Sequence, residues 1–509
     1  MSAFRRAFSA VVAVTLVGQL CAVIYEVVVA GRFGTRLEGD ALALALTLAL
    51  GVANEVVTWV STLFIPHYVE ARSKGPAGAA RFFRATAALL AAGSGALAAL
   101  LVVGAPGLVT LLAPGAAREL GTELVRFFAP LLVLLPLSTL LAGTLQAHGR
   151  FVVAALRHLC WYGVALLSVV TLGRRMGPSA VAIGMVGGLL LFCSILALAI
   201  AARGGAPSGG EAAALRLRRA AWSLLPLVLA SVSNYVNIAV ERGIAARLPE
   251  GSLAALTYAF RLLNFPVNLL LLNATTMLFP SLAVHAASGD IRELEALVRR
   301  ALRLSIVFTV PLAALAIALA EPGIRLLLQR GAFTADSTQL TASALIYYAP
   351  AVVGMAGVQV LSRAYQALHE VRRLVWTGIS VIGLNVALML GLTAVFGFRG
   401  LPVATSINWT VLLAVMLVAI RKRLPGLRPL AIAESAGRAA VAGGVGVGAA
   451  WLALAAIDGG PLPGLLAGGL MGIGAYAVVL FWLAREDAKL AAEFVTPRRF
   501  LHTRAGSPT

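Results

Sequence analysis

Phe127-Phe128-Ala129-Pro130 returns later in the chain as Tyr347-Tyr348-Ala349-Pro350. Around that pair the same order of landmarks is written twice. Pro106-Gly107 with Gly115 returns as Pro322-Gly323 with Gly331, Phe64-Ile65-Pro66 as Phe279-Pro280, and Gln146-Ala147 as Gln366-Ala367. The copies lie about 216 residues apart, and the offset drifts by a few residues, as expected when short loops gain or lose residues. Chance matching in Leu/Ala-rich sequence is the competing account. Against it, four separate matches agree in order and spacing. A fixed long period inside an apolar chain is the mark of a membrane transporter built from two related halves.

Composition sets the same class. Hydrophobic residues make up 60% of 509 and charged residues 12%, and mean hydropathy is +0.92. A soluble protein is about one-quarter charged. The formal charge of +20 invites a nucleic-acid reading, yet only Lys74, Lys422 and Lys489 are lysines among 41 basic residues. The arginines cluster between apolar segments, where they set topology, and aromatic interleaving for base stacking is absent. No nucleic-acid partner is expected. Cys21, Cys160 and Cys193 lie in or beside apolar runs and show neither metal spacing nor a disulfide framework. Arg5 and Arg6 precede a long apolar run without a small-residue cleavage pattern, so the first segment reads as a span and not as a cleaved signal.

Runs of about 20 apolar residues, long enough to span, fall near 8–30, 41–65, 85–112, 124–145, 153–173 and 179–202. Six more fall near 220–240, 253–284, 302–328, 339–362, 374–396 and 400–420, and two near 437–457 and 463–484. The expected fold is therefore an all-α polytopic membrane protein of about 14 transmembrane helices, two parallel six-helix repeats plus two C-terminal helices. The expected organisation is a first lobe at 1–203, a linker at 204–219, a second lobe at 220–424, two added helices at 425–484 and a tail at 485–509. Ile291 to Arg300 is amphipathic and reads as a short helix on the inner membrane surface or as a solvated linker.

Arg and Lys placement orients the chain. With the N-terminus inside, the inner loops hold Arg72, Lys74, Arg81, Arg150, Arg216, Arg218, Arg219, Arg292, Arg299, Arg300, Arg372, Arg373, Arg421, Lys422, Arg423 and Arg428. The outer loops hold Arg32, Arg36, Arg118, Arg247, Arg330 and Arg399, and Arg174-Arg175 is an exception to the pattern. Both termini are expected to be cytoplasmic. Each repeat then has an even number of spans, so the halves run in the same direction with a cavity between them.

A charge at bilayer depth costs several kcal/mol unless it is paired or lines water. The polar residues within spans are therefore the candidate site. They are Tyr25 and Glu26 in the first span, Asp40, Asn54 and Glu55 in the second, Glu241 in the seventh, Arg261, Asn264 and Asn268 in the eighth, Asn385 in the eleventh and Thr405 in the twelfth. Arg261, Asn264 and Asn268 step by three and four and share a helix face. A cation flanked by amides suits an anionic, sugar-bearing ligand, whereas amides elsewhere serve as interhelical glue. Glu26 is a candidate partner for Arg261. There is no Gly-rich phosphate loop with its Lys, no paired His on a helix and no nucleophile elbow, so neither an enzyme nor a cofactor is expected. Any transport is then driven by an ion gradient, the membrane potential or the substrate's own gradient.

The stretch Leu248-Pro249-Glu250-Gly251-Ser252-Leu253-Ala254-Ala255-Leu256-Thr257-Tyr258-Ala259-Phe260-Arg261-Leu262, followed by Phe265-Pro266 and Phe279-Pro280-Ser281-Leu282, resembles the MurJ/MviN lipid II flippases. Gln329-Arg330-Gly331-Ala332-Phe333-Thr334, Ala364-Tyr365-Gln366-Ala367-Leu368, Ala30-Gly31-Arg32-Phe33-Gly34 and Gly39-Asp40-Ala41 are similar too. The likeness covers almost the whole chain. That family belongs to the multidrug/oligosaccharidyl-lipid/polysaccharide exporter superfamily. It implies a bacterial inner-membrane protein that passes an undecaprenyl-linked saccharide headgroup across by alternating access. It also implies basic residues from the first, second and eighth helices that meet the pyrophosphate. Arg261 matches the eighth-helix Arg, and Asp40 matches the family Asp. The first-helix basic positions, however, fall at Gln19 and Tyr25, and the second-helix pair falls near Ala53-Asn54. Glu26 stands where an acid follows the first-helix Arg. Thr58-Trp59-Val60-Ser61 replaces the family's Ala-Glu-Gly turn. Some members bind sodium, and Glu241, Asn385 and Thr405 fall at three of those positions, with Met389 in place of an acid. Coupling to sodium or protons follows from the resemblance, and so do contacts with membrane lipids and with cell-wall or polysaccharide synthesis proteins.

Four functions remain open at this point. The leading one is a flippase for lipid II or a related undecaprenyl-pyrophosphate glycan. The eroded basic cluster keeps a capsule or exopolysaccharide flippase beside it, and also a non-transporting scaffold of cell-envelope synthesis. Drug or cation antiport shares the superfamily fold.

Overall fold

A computed structural model describes residues 2–73, 75–113, 117–201, 235, 237–457 and 461–495. Among them there are helices and turns and no strands. The first half comprises α1 (Ser2–Phe33), α2 (Leu37–Ser73), α3 (Pro76–Leu112), α4 (Ala117–Phe128), α5 (Leu131–Ala147), α6 (Phe151–Ala155), α7 (Arg157–Met176) and α8 (Ser179–Ala201). A helical stretch at 237–245, α9, leads into α10 (Ser252–Ser288), α11 (Ile291–Ala318), α12 (Ala320–Leu328), α13 (Ala335–Tyr348), α14 (Ala351–Ala367), α15 (Val371–Phe396) and α16 (Gly400–Ile420). Then come α17 (Pro429–Ala456), α18 (Pro461–Leu483) and α19 (Arg485–Val495).

Ten described stretches are long and apolar enough to cross a bilayer, and the bent pair α13–α14 makes an eleventh. One of the ten, Arg372–Ile420, holds both α15 and α16. α10 covers the eighth expected span, while most of the seventh, at 220–240, lies outside the described residues, as does the linker at 204–219. An all-helical bundle of about fourteen spans accounts for all of this. The outward faces are apolar. Val103, Leu198 and Leu470 are 78%, 70% and 73% exposed, which only a lipid surround makes favourable.

The repeat is also present in the backbone. α4 breaks into α5 at Pro130 and α13 into α14 at Pro350, because proline has no N–H to continue the ladder. The two prolines have nearly the same conformation, with φ −58°, ψ −22° and φ −61°, ψ −26°. The helices that follow are 17 residues each. The positive-φ residues pair off at the repeat offset: Gly34 with Gly251, Gly75 with Gly289, Gly149 with His369, Gly177 with Gly397. Gly331 corresponds to Gly115, which is outside the described residues. His369, at φ 57°, holds a left-handed turn that the first repeat gives to glycine.

The chain forms two compact units, Met1–Ala254 with Leu328–Ser337, and Ala255–Leu327 with Thr338–Thr509. In the first, α7 and α8 pack as a tight hairpin. A Cβ on Gly188 would stand 2.6 Å from the Cys160 carbonyl oxygen and one on Gly184 2.6 Å from Ala165 Cα, so small residues set the approach. Ser168 donates to the Ala180 carbonyl at 2.7 Å across that hairpin. Phe64, Tyr68, Phe82 and Phe83 form an aromatic cluster between α2 and α3. In the second unit, Leu294, Val298, Leu302, Leu361, Tyr365, Met416 and Leu424 belong to one buried core. Tyr365 donates to the Met416 carbonyl at 3.0 Å and Tyr476 to the Val307 carbonyl at 2.9 Å.

The segment 291–300 departs from the sequence expectation. It is the first part of the continuous helix α11, not a separate surface helix. Leu294 and Val298 are fully buried in the core of the second unit, so its apolar stripe faces protein. Asp290 caps its start by accepting the Glu293 N–H at 3.2 Å. Glu295 holds the Gly426 N–H at 2.6 Å. Asp487 of α19, 1% exposed, pairs with Arg303 and accepts from Ser435 at 2.9 Å, tying α19 to α11 and α17.

Candidate functional site

A long-range polar cluster lies in the first unit, where three turns of the chain converge. α1 ends at Phe33, and Gly34 at φ 58° turns the chain into α2. Asp40, in the first turns of α2, accepts the Gly251 N–H and the Ala254 N–H, each at 2.7 Å. These donors belong to the start of α10, whose first N–H groups have no partner within the helix. A carboxylate there also complements the helix dipole. Asp40 is thus an N-terminal cap delivered from more than 200 residues away. The Leu37 N–H donates to Glu250 at 2.9 Å, Thr35 donates to Ser337 at 2.7 Å, and the Ala332 N–H donates to the Gly31 carbonyl at 2.7 Å.

Glycine makes this approach feasible. A Cβ on Gly331 (φ 58°) would run into the Gly31 carbonyl oxygen, and one on Gly34 into the Ala332 carbonyl oxygen. Backbone meets backbone with no room for a methyl group, and both residues sit where only glycine is unstrained. The cluster is chemically a latch of backbone amides, one carboxylate and two hydroxyls.

The other expected residues are distributed over both units. Tyr25 is fully buried, its ring centroid 5.4 Å from that of Tyr162, and Glu26 beside it is half-buried. Asn54 is exposed on α2 with its carbonyl accepting from Thr58 at 2.9 Å, and Glu55 is half-buried. Glu241 is half-buried on α9. Arg261 and Asn264 are half-buried on α10 in the second unit, one turn apart, and Asn264 donates to the Phe260 carbonyl at 2.8 Å. The Asn268 side chain lies outside the described residues. Asn385 and Met389 are buried one turn apart on α15. Thr405 on α16 donates to the Leu401 carbonyl at 3.1 Å and keeps its lone pairs for a further partner. Among the described residues, no three His, Cys, Asp or Glu side chains gather as a metal would require. The candidate cation residues offer carboxylate, amide and hydroxyl oxygens.

Sequence reasoning did not single out Thr35, Ser337 or Glu250 as latch residues. It also passed over Tyr235, which donates to the Leu48 carbonyl at 2.9 Å and lies against Gly51 of α2. The signal for the latch was present. Gly31, Gly34, Gly251, Gly331 and Ala332 all belong to the motifs quoted above, and they meet at this point.

An internally repeated bundle of membrane-spanning helices, with charged and amide side chains held inside the spans, defines a polytopic membrane transporter. The fold is shared with solved structures. A lipid II flippase MurJ in an inward closed conformation matches with a TM-score of 0.77 at 20% identity, over 93% of this chain and 98% of that one. A multidrug resistance MATE family transporter of the MOP superfamily, inward-facing, matches with a TM-score of 0.63 at 14% identity, over 82% and 98%. The family described as lipid II flippase MurJ matches residues 13–460, and the chain belongs to that family. A relative from Buchnera aphidicola subsp. Acyrthosiphon pisum, a probable lipid II flippase MurJ, is 25% identical over 292 residues, 57% of each chain. That alignment spans a little over half the length of the relative.

Proposed function

We propose that this protein is a lipid II flippase that carries an undecaprenyl-linked saccharide headgroup across the bacterial inner membrane by alternating access. The observation that carries the reading is the family match over residues 13–460, which includes the eighth-helix arginine, Arg261. In this reading Arg261 is the principal cation for the pyrophosphate, with Asn264 and Asn268 completing one face of the same helix. Glu26, Asn54 and Glu55 line the cavity in place of a denser basic cluster, while Tyr25 is buried against Tyr162.

The latch around Asp40 acts as the closed outer end. It is built from reversible hydrogen bonds, and its glycines allow the turns to meet and part without side-chain rearrangement. Both termini face the cytoplasm, in keeping with the arginine-rich loops on that side. Glu241, Asn385 and Thr405 serve coupling to sodium or protons. Cell-wall synthesis proteins are the expected protein partners.

The test is complementation of a strain depleted of its lipid II flippase, with insertion confirmed by immunoblotting of membranes. Growth rescue by the wild-type protein and none by Arg261→Ala is the expected result. An inserted wild-type protein that fails to rescue overturns the lipid II assignment.

A further inference from the structure

A second charged site stands apart from the latch and the spans' interior. Arg118, Glu119, Thr122, Glu123 and Arg126 of α4 line an open groove of about 810 Å³ with Pro106 of α3. Glu119, Thr122, Glu123 and Arg126 recur at helical spacing and share one face. The span that contains α4 begins at Arg118. Arg118, Glu119, Glu123 and Arg126 all fall in the first turns of that stretch, so the groove lies at the polar end of the span.

The local chemistry holds this arrangement in place. Pro106 has no N–H, which leaves the Val102 carbonyl of α3 without its helical donor. Arg126 Nε donates to that oxygen at 3.4 Å. Glu123 accepts from Ser179 at 3.2 Å. Among the described residues, the two guanidiniums and two carboxylates form no ion pair with one another. The second repeat is an internal control. It builds the corresponding helix, α13, with Thr338, Gln339, Ser343 and Ile346 in place of Arg118, Glu119, Glu123 and Arg126. The fold therefore does not require the four charges.

We infer that this groove binds a phospholipid with a zwitterionic primary-amine headgroup, of the phosphatidylethanolamine type. The carboxylates of Glu119 and Glu123 take the ammonium, and the guanidiniums of Arg118 and Arg126 take the phosphate. Exposed Phe127, which lines the groove, and exposed Val103 of α3, one turn from Pro106, carry the acyl chains. Phosphatidylcholine lacks ammonium N–H donors, and phosphatidylglycerol lacks the ammonium altogether. The inference rests on the membrane-spanning fold and is independent of the transport reading.

The test uses the full-length protein in nanodiscs made from equal parts phosphatidylethanolamine, phosphatidylcholine and phosphatidylglycerol, with retained lipids counted by native mass spectrometry. Because the charges are exposed, the expected preference for phosphatidylethanolamine over phosphatidylcholine is modest, about three- to fivefold. E119Q/E123Q abolishes it, and R118Q weakens retention of phosphatidylethanolamine and phosphatidylglycerol alike. If the double variant unfolds, E119Q alone serves as the test and should at least halve the preference. Equal retention of the three lipids by the wild-type protein, or a preference that survives in a folded glutamine variant, overturns the proposal. Soluble glycerophosphoethanolamine should not displace the bound lipid, and displacement would overturn the lipid assignment.

Discussion

Asp40→Asn tests the latch directly. The carboxylate accepts two backbone N–H groups at 2.7 Å, one on each oxygen. Asparagine keeps one acceptor oxygen and turns an NH2 toward the other donor. One charge-assisted bond is lost, and the other becomes neutral. A bond to a charged group contributes about 1.5–3 kcal/mol and a neutral one about 0.5–1.5. The difference is roughly 2.5–4.5 kcal/mol for a fully buried site, and about 2–3 kcal/mol for the half-buried Asp40. That shifts a closed-to-open ratio by about 30- to 150-fold. The assay is disulfide trapping of Thr35→Cys with Ser337→Cys, whose parent hydroxyls are 2.7 Å apart, with Cys21, Cys160 and Cys193 replaced. Oxidative trapping should be fast and nearly complete in the parent and markedly slower in the D40N protein, with a lower melting temperature. Equal trapping rates and equal melting temperatures in the two proteins would refute the argument that this carboxylate holds the latch.

Arg261→Ala should abolish or strongly reduce flipping while leaving insertion intact, because a charge-assisted contact is worth about ten- to a hundredfold in affinity. Arg261→Lys should rescue only in part, since Lys keeps the charge without the bidentate fork; normal transport by the alanine variant removes the residue from the mechanism. His369→Gly should stabilise the protein by about 0.5–1 kcal/mol, because His369 holds a left-handed conformation that costs about 1–2 kcal/mol for a residue with a Cβ. Thermal unfolding reads this out, and an unchanged or lower melting temperature counts against the strain. Asp487→Ala leaves Arg303, a quarter exposed, with only Glu486 at 3.2 Å and should cost about 2–4 kcal/mol. A double-mutant cycle with Arg303→Ala should recover much of that loss, and simple additivity would show the pair to be uncoupled.

Much of the fold was legible because membrane burial imposes a coarse rule. Each span must be a run of about 20 apolar residues, whatever it packs against. Composition and the doubled Phe127–Pro130 and Tyr347–Pro350 landmarks therefore determined an all-helical, internally repeated transporter before any contact was known. The same physics put Arg261 on the candidate list, since a charge inside a span needs a reason. Hydropathy could not tell where a helix continues. Residues 291–300 are polar enough to suggest a separate surface helix, yet Leu294 and Val298 find a protein core and the helix runs on unbroken.

The part that only the tertiary structure decided is the pairing of residues distant in sequence. Asp40 is read from the sequence as a charge at the start of a span. Its role as a cap follows from Gly251 and Ala254, more than 200 positions away, supplying N–H groups with no other partner. Gly31, Gly34 and Gly331 were visible as motif residues, but the reason for glycine at each is a backbone approach made by another turn. Arg126 is read from the sequence as a charge near the start of the fourth span, and its reason appears only when Pro106 is seen to have orphaned the carbonyl it bonds. In each case the sequence carries the residue type, and the partner that explains it comes from chain segments that only folding brings together.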